Sequence, residues 1–225
     1  MRMNGKLDRS QRRRCKGFST LELLMVMFVS LVIAAMAIPG FNQVQRTLRI
    51  SGDVRNLNGA INQAKLMAAA DFTRARLYID LGADNVNTFH VDVWNNANGC
   101  WQVVGDLSNP CLVRGVSPVQ YLSPGVSFGT SGVAAPPPNT QSNGIQQAPT
   151  CFHTHGNGLG TVSATACITF NSRGIPILPL NGVPYSNDAV YITDGRQVYA
   201  VTVGLTGLSQ VWAISANGNG HWYRK

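Results

Sequence analysis

The chain has 225 residues, a formal net charge of +8 and five cysteines, and only 12% of its residues are charged. The length allows about one globular domain beside a membrane segment. The charge is unevenly placed, because residues 1–17 hold seven Lys and Arg residues against one Asp. The high pI is therefore no sign of a nucleic-acid surface, and the basic leader favours a signal that stays on the cytoplasmic side of a membrane.

An apolar run follows the leader, from Phe18 to Phe41, and Glu22 is its only ionisable residue. As an α-helix of about 1.5 Å per residue it is about 36 Å long, enough to cross a bilayer core. A secretory signal peptide has a shorter apolar core of about 7–15 residues, and its cleavage site follows that core. A plain membrane anchor would explain the length of the run but not the acid near its start.

The junction from Gly17 to Glu22, GFSTLE, resembles the class III signal of type IV pilins and type II secretion pseudopilins. The resemblance implies that a prepilin peptidase cuts after Gly17 and that the new N-terminal residue, Phe18, is N-methylated. It also implies that Glu22 pairs with the terminal amine of a neighbouring subunit. Such a pair would compensate a carboxylate that is unfavourable alone in hydrocarbon and would set the axial register of an assembly. Pro39 lies where these proteins often carry a proline that kinks the helix.

Helical periodicity continues over residues 42–74, with apolar residues at intervals of three and four. The stripe predicted to face a core consists of Val44, Leu48, Val54, Leu57, Ile61, Ala64 and Ala68. The intervals of three and four residues are interrupted around Ile50. The pattern predicts one long helix, with residues 18–41 in the membrane and the amphipathic half, 42–74, packed on a sheet.

Beyond residue 74 the apolar period changes to two, which indicates β-strands. The stronger strand candidates are 76–80, 88–94, 100–104, 166–170, 189–193, 197–203 and 210–214, and the weaker ones are 119–122 and 126–128. Residues 129–165, rich in Gly, Pro, Asn and Ser, predict an irregular insert. These patterns predict an α+β fold, in which the long N-terminal helix packs on an antiparallel β-sheet head domain of residues 75–225. The resemblance at the junction implies that this fold is type IV pilin-like.

The order of elements also resembles minor pilins and pseudopilins of the GspH/FimT type. Residues 61–69 (INQAKLMAA) resemble the helix end that leads into the first strand of that family. Residues 169–174 (TFNSRG) resemble its strand followed by a glycine turn, and residues 192–196 (ITDGR) its late hairpin.

Four cysteines follow the leader: Cys100, Cys111, Cys151 and Cys167. The basic leader places them outside the cytoplasm, where disulfides persist. Three pairings are open, and we favour Cys100–Cys111 with Cys151–Cys167 because each closes a short loop rich in small polar residues. Zinc is the competing interpretation, but the chain has no CxxC pair.

No catalytic constellation stands out, so we expect neither enzyme activity nor a cofactor. Cys151, His153 and His155 are spaced as metal ligands could be, but without an acidic neighbour they give no expectation of a metal site. The C-terminal Trp222, Arg224 and Lys225 mix aromatic and cationic side chains, which could stack on bases and contact phosphates. The alternative function is therefore that of a DNA-binding minor pilin in a FimT-like DNA-uptake pilus.

The pilin resemblance implies a minor pilin or pseudopilin that enters, primes or caps a type IV pilus or a type II secretion pseudopilus. It implies a single-pass protein of the bacterial inner membrane, with the head in the periplasm or on an extracellular pilus. The implied partners are the prepilin peptidase, the assembly platform protein and other pilin subunits. Nucleic acid is a partner only in the alternative function.

Overall fold

The computed structural model describes residues 19–82, 87–102, 118–155, 158–216 and 220–225. The chain divides into two compact units, with the boundary between Gln45 and Arg46. In the first unit the described residues from Thr20 onward are helical, and the second unit, called the head below, contains helix and antiparallel β-sheets. The predicted α+β class, with one long apolar N-terminal helix, is confirmed.

The long helix, α1, spans Thr20–Ala70, close to the predicted range 18–74. Just beyond its end the Phe72 backbone has a φ of 48°, in the left-handed region. The Thr73 N–H then donates a hydrogen bond to the Ala68 carbonyl at 3.1 Å. A left-handed residue followed by such a bond is a common way to end a helix, and it turns the chain into the first strand.

The buried stripe of α1 begins later than the sequence predicts. Its members are Ile50, Val54, Leu57, Ile61, Ala64 and Ala68, none of them more than 2% exposed. Val44 and Leu48, which were predicted to belong to the stripe, are 56% and 66% exposed, so this part of the prediction is wrong. The reason is helical phase: at about 100° per residue Leu48 lies about 200° around the helix from Ile50, on its opposite side.

All strand pairs in the described residues are antiparallel. The strands are β1 (Ala75–Asp80), β2 (Thr88–Asn95), β3 (Cys100–Gln102), β4 (Gln120–Tyr121), β5 (Ser127–Phe128), β6 (Phe152–His155), β7 (Gly158–Thr161), β8 (Thr165–Phe170), β9 (Pro176–Ile177), β10 (Asp188–Thr193), β11 (Gln197–Val203), β12 (Ser209–Ser215) and β13 (Tyr223–Arg224). The strands predicted from period-two patterns are all present, although β3 ends at 102 and residues 103–104 lie outside the described part. The short β9 and β13 were not predicted.

The described residues of the head form two main sheets and a separate hairpin. The first sheet has the order β3-β2-β1-β8-β9, with β4 also paired to β2, and the second has the order β13-β12-β11-β10-β5. In the first sheet β1 is central, since Leu77 lies opposite Val91 of β2 and opposite Ile168 of β8. These three side chains are fully buried in a core that also contains the stripe of α1.

The second sheet is buried on both faces. Val190 and Val201 point into the core shared with α1 and the first sheet, whereas Tyr191 and Ala200 point into a separate apolar cluster. Successive residues of a strand face opposite sides, so both faces must be covered. Val133, from the predicted insert, is buried in the second cluster. The insert therefore serves the fold by covering the outer face of the second sheet.

The predicted irregular insert, 129–165, is regular in its last part. Residues 129–151 contain turns and bends without a strand, as expected, but β6 and β7 form a hairpin in which Phe152 pairs with Thr161. The prediction is wrong here because the hairpin strands, rich in Gly, Thr and His, lack an apolar alternation. Contacts to the first sheet hold the hairpin instead, and they are described below.

Candidate assembly site

The N-terminal half of α1 presents an apolar surface. From Leu21 to Phe41, every large apolar side chain that is described is at least 41% exposed. The segment is long and apolar enough to cross a membrane. Exposing apolar area to water costs about 25 cal/mol per Å², so a segment of this kind needs lipid or another apolar surface around it.

Glu22 lies in the first turn of α1 and is exposed on this surface. Ser19 caps the helix, its hydroxyl accepting a hydrogen bond from the Leu21 N–H at 3.3 Å and its carbonyl accepting one from the Leu23 N–H at 3.1 Å. A carboxylate at this end is favoured by the free N–H groups of the first turn. Among the described residues no cation forms an ion pair with Glu22.

The proposed cleavage junction, Gly17 and Phe18, lies outside the described residues. Helix α1 includes position 39, where Pro39 was predicted to produce a kink. The kink stays a prediction.

The disulfide predicted between Cys151 and Cys167 is present, with a Cα–Cα distance of 5.0 Å. It joins the residue before β6 to the middle of β8, and so fixes the hairpin to the first sheet. It also uses the sulfur of Cys151, so no thiolate is left there for a metal. Cys100 is disulfide-bonded as well, and its predicted partner, Cys111, lies outside the described residues.

The C-terminal residues predicted to contact DNA lie at the edge of the second sheet. Tyr223–Arg224 form β13, which pairs with β12. The Trp222 indole N–H donates to the Ala135 carbonyl at 2.8 Å, and its ring lies 6.1 Å from that of Tyr191. The Lys225 ammonium lies 5.4 Å from the centre of the Tyr223 ring. Trp222 therefore packs on the second apolar cluster, and DNA contact by this tail stays a prediction.

A second charged site, inside the head, was missed by sequence reasoning. Arg76 Nε donates a hydrogen bond to one carboxylate oxygen of Asp92 at 2.9 Å, and Nη2 lies 2.8 Å from the same oxygen in an ion pair. Its Nη1 donates to the Phe152 carbonyl of the hairpin at 2.7 Å. Both charged side chains are nearly inaccessible, at 4% and 0% exposure, and the guanidinium lies 4.2 Å from the centre of the Trp101 ring. This pair ties three strands, β1, β2 and β6, to one another.

The neighbours of this pair are also titratable. His90 Nε2 lies 3.1 Å from the other oxygen of Asp92 without the alignment of a hydrogen bond, and its ring stacks on Tyr78 at 4.9 Å. Burial lowers the pKa of Arg76, an effect opposed by the charge of Asp92 and the hydrogen bond to it. Burial, followed by the charge of Asp80, raises the pKa of Tyr78. The hairpin covers the Arg76–Asp92 pair and is bonded to it, so we call this pair the internal anchor.

The chain matches no protein-family model, no curated protein and no solved structure. The two charged sites each contain a carboxylate, Glu22 on α1 and Asp92 on β2. They differ in that Asp92 finds its cation within the head, whereas Glu22 has none among the described residues.

The sequence indicates which face of its strand each residue of the internal anchor occupies, but not that the face is buried. Arg76 and Asp92 both occupy the polar positions of strands with strict alternation, on the face opposite Leu77 and Val91. Alternation alone predicts that such a face is solvated. It is covered here by a hairpin whose own sequence gives no strand pattern, so the burial of the pair could not be predicted.

Proposed function

We propose that this chain is a minor pilin or pseudopilin, processed by a prepilin peptidase after Gly17 and assembled into a type IV pilus or a type II secretion pseudopilus. The observation that carries the proposal is the exposed apolar half of α1, with Glu22 in its first turn and no ion-pair partner in the described chain. A filament core lined by such helices buries the apolar surface and supplies the missing cation.

Cleavage creates that cation, because it exposes the amino group of Phe18. In the membrane the attraction between this ammonium and Glu22 of a neighbouring subunit is strong, since the surrounding dielectric is low. A subunit at a different axial position would leave both charges unpaired in the membrane, which is unfavourable. The pair therefore determines the axial position of each subunit in the filament. Methylation of Phe18 leaves the positive charge in place.

The proposal places the chain in the bacterial inner membrane as a single-pass protein, with its head in the periplasm or on an extracellular pilus. Residues 1–17 remain on the cytoplasmic side until they are removed, in line with their basic charge. The partners are the prepilin peptidase, the assembly platform protein and other pilin subunits.

The first test is the start of the mature chain. The protein should be expressed with a prepilin peptidase and its intact mass measured. We expect a chain that begins at Phe18 and carries one added methyl group. A start at any other residue would contradict the proposal.

The second test separates assembly from insertion. We expect Glu22→Ala to remain in the membrane but to lose about tenfold or more of its crosslinking to other pilin subunits. Ser30→Ala is the matched control, because the Ser30 hydroxyl only donates within its own helix, to the Met27 carbonyl at 2.8 Å. Equal crosslinking of the Glu22 and Ser30 variants would argue against the pairing.

A further inference from the structure

A cavity of about 290 Å³ opens in the head, beside the part of α1 that follows the apolar run. Arg46 and Arg49 line it from α1, residues 124–126 from the loop between β4 and β5, and Asp194 from the turn between β10 and β11. Its volume is many times the roughly 10–15 Å³ that admits one water. It can therefore hold a small polar group of several heavy atoms.

The walls of the cavity are fixed by hydrogen bonds. The carboxylate of Asp53, on α1, accepts bonds from the Ser123 N–H at 3.0 Å and the Ser123 hydroxyl at 2.9 Å, which holds the 124–126 loop against the helix. Oδ1 of Asp194 accepts bonds from the N–H groups of Arg196 and Gln197 at 2.9 and 2.8 Å. Both walls are thus shaped before any ligand arrives.

The charges of the lining are of both signs. Arg46 and Arg49 are exposed, and no carboxylate of the described residues lies within 4.0 Å of either guanidinium. Asp194 uses Oδ1 in its turn, and no described group is bonded to its other oxygen. Guanidinium groups suit phosphate oxygens, and a carboxylate suits an N–H donor with positive charge. The lining thus fits a ligand with a phosphate at one end and a primary ammonium at the other.

The position of the two arginines in the chain indicates where such a ligand comes from. Arg46 follows Phe41, the end of the apolar run, by five residues, and Arg49 follows it by eight. At about 1.5 Å per residue these are about 8 and 12 Å of helix. The headgroup layer extends about 5–7 Å beyond each side of the hydrocarbon core, within reach of long arginine side chains.

We propose that this cavity binds the headgroup of phosphatidylethanolamine, with the phosphate on Arg46 and Arg49 and the ammonium on Asp194. The proposal rests on the membrane insertion of α1, which is part of the proposed function. The bound lipid holds the head at the membrane surface while the subunit waits to be assembled, and it is released when the subunit leaves the bilayer.

The test uses the full, unprocessed chain in detergent micelles, so that cleavage and assembly play no part. Phosphatidylethanolamine, phosphatidylcholine and phosphatidylglycerol with identical acyl chains are added, and native mass spectrometry measures the fraction of chain with bound lipid. We expect phosphatidylethanolamine to bind about tenfold tighter than phosphatidylcholine, whose quaternary ammonium cannot donate a hydrogen bond to Asp194. Equal binding of these two lipids overturns the proposal, and so does tighter binding of phosphatidylglycerol.

Two variants test which residues of the cavity bind the phosphate and which residue binds the ammonium. Arg46→Gln/Arg49→Gln is expected to weaken phosphatidylethanolamine binding about twenty-five-fold, at about fivefold for each basic residue near the headgroups. Asp194→Asn keeps an oxygen acceptor for the turn, and it should reduce the preference over phosphatidylcholine to about twofold. The control is Arg55→Gln/Arg173→Gln, which removes the same charge from exposed positions outside the cavity and should change binding less than twofold.

Two further measurements separate the sources of failure. Soluble phosphoethanolamine that displaced the lipid at equal concentration would overturn the lipid assignment in favour of a free solute. Extraction of vesicles at alkaline pH tests insertion separately. A chain that resists extraction but shows no lipid preference contradicts the headgroup site alone, whereas an extracted chain contradicts the proposed function as well.

Discussion

Two parts of one helix meet opposite surroundings. Between Leu21 and Phe41 the large apolar side chains of α1 are exposed, whereas from Ile50 to Ala68 the members of its apolar stripe are buried against the head. The second part is covered by its own chain, whereas the first is not covered by the described residues. The comparison shows that apolar composition alone does not determine whether a helix is buried, because burial also depends on which other elements of the chain pack against it.

The carboxylates repeat this contrast. Asp92 is fully buried and paired with Arg76 inside the head, whereas Glu22 is exposed without an ion-pair partner in the described residues. If the head is self-contained, disturbing its internal contacts should change its unfolding free energy, and changes at the exposed part of α1 should not. All four tryptophans lie beyond residue 93, so their fluorescence in the full chain in micelles reports on the head.

The largest effect is expected at the internal anchor. Arg76→Ala leaves the carboxylate of Asp92 buried without its main partner, and breaking a buried pair in this way costs about 3–5 kcal/mol. We expect the free energy of unfolding in urea, followed by tryptophan fluorescence, to fall by that amount.

The exposed Arg55, on α1, supplies the control. Arg55→Ala removes the same charge and should change the unfolding free energy by less than about 0.5 kcal/mol. The double variant Arg76→Met/Asp92→Leu removes both charges and should recover much of the lost stability. If Arg76→Ala unfolded like Arg55→Ala, the anchor would have no structural role.

The next effect tests where along α1 the change of surroundings occurs. Ile50→Ala removes a fully buried side chain and is expected to lower the unfolding free energy of the head by about 3 kcal/mol. Leu48→Ala, two residues earlier, removes a side chain that is 66% exposed, so we expect a change below about 0.5 kcal/mol. Urea unfolding of the two variants side by side measures the contrast, and equal losses would mean that the stripe begins earlier than Ile50.

The same two residues show what could be predicted from the sequence. The continuous apolar run up to Phe41 and the apolar periodicity of three and four residues beyond it together predicted a helix over nearly the observed range. The regular apolar spacing is interrupted near Ile50, so the sequence allowed either the helix face of Leu48 or that of Ile50 to be buried. Leu48 was assigned to the buried face, but the position of the sheets buries the face of Ile50. The α+β class was predicted from the change of apolar period near residue 74. That change does not depend on which face of the helix each residue occupies.

The internal anchor and the lipid cavity lie beyond what the sequence could predict, for a different physical reason. Arg76 and Asp92 are 16 residues apart and meet through strand register, and the hairpin that buries them comes another 60 residues later. The cavity brings Arg46 of α1 near Asp194, which lies 148 residues later in the turn between β10 and β11. Local sequence patterns do not predict contacts between residues so far apart in the chain. The junction from Gly17 to Glu22, in contrast, is contained in six successive residues.

A somewhat smaller loss is expected from the disulfide. Cys151→Ser/Cys167→Ser opens a loop with a sequence separation of 16, for which the chain-entropy estimate is about 3 kcal/mol or less. The hairpin carries only part of the head, so we expect thermal unfolding in micelles to shift to lower temperature while the tryptophan spectrum stays native at 20 °C. A native-state spectrum like that of the unfolded chain would show instead that the whole head depends on this bond.

The smallest effect is expected at Asp188, the first residue of β10, and it depends on pH. Its side chain is 2% exposed, and neither carboxylate oxygen has a hydrogen-bond partner in the described residues. Burial raises its pKa well above the ordinary value of 3.8, so the folded head holds a proton that the unfolded chain releases. Its contribution to stability is therefore present below about pH 4 and is lost as the pH rises toward the folded pKa.

Asp188→Asn replaces this carboxyl by a neutral group of similar shape and removes the linkage. Relative to the unchanged chain, we expect its unfolding free energy to rise between pH 4 and pH 8, by about 1 kcal/mol or more, since one pKa unit corresponds to about 1.4 kcal/mol. Asp71→Asn makes the same formal change at an exposed turn and serves as the comparison. A difference that stays constant over this range, or falls, would mean that Asp188 is ionised in the folded head and has found a cation. In that case the head, like the exposed half of α1, would depend on a group from outside its described residues.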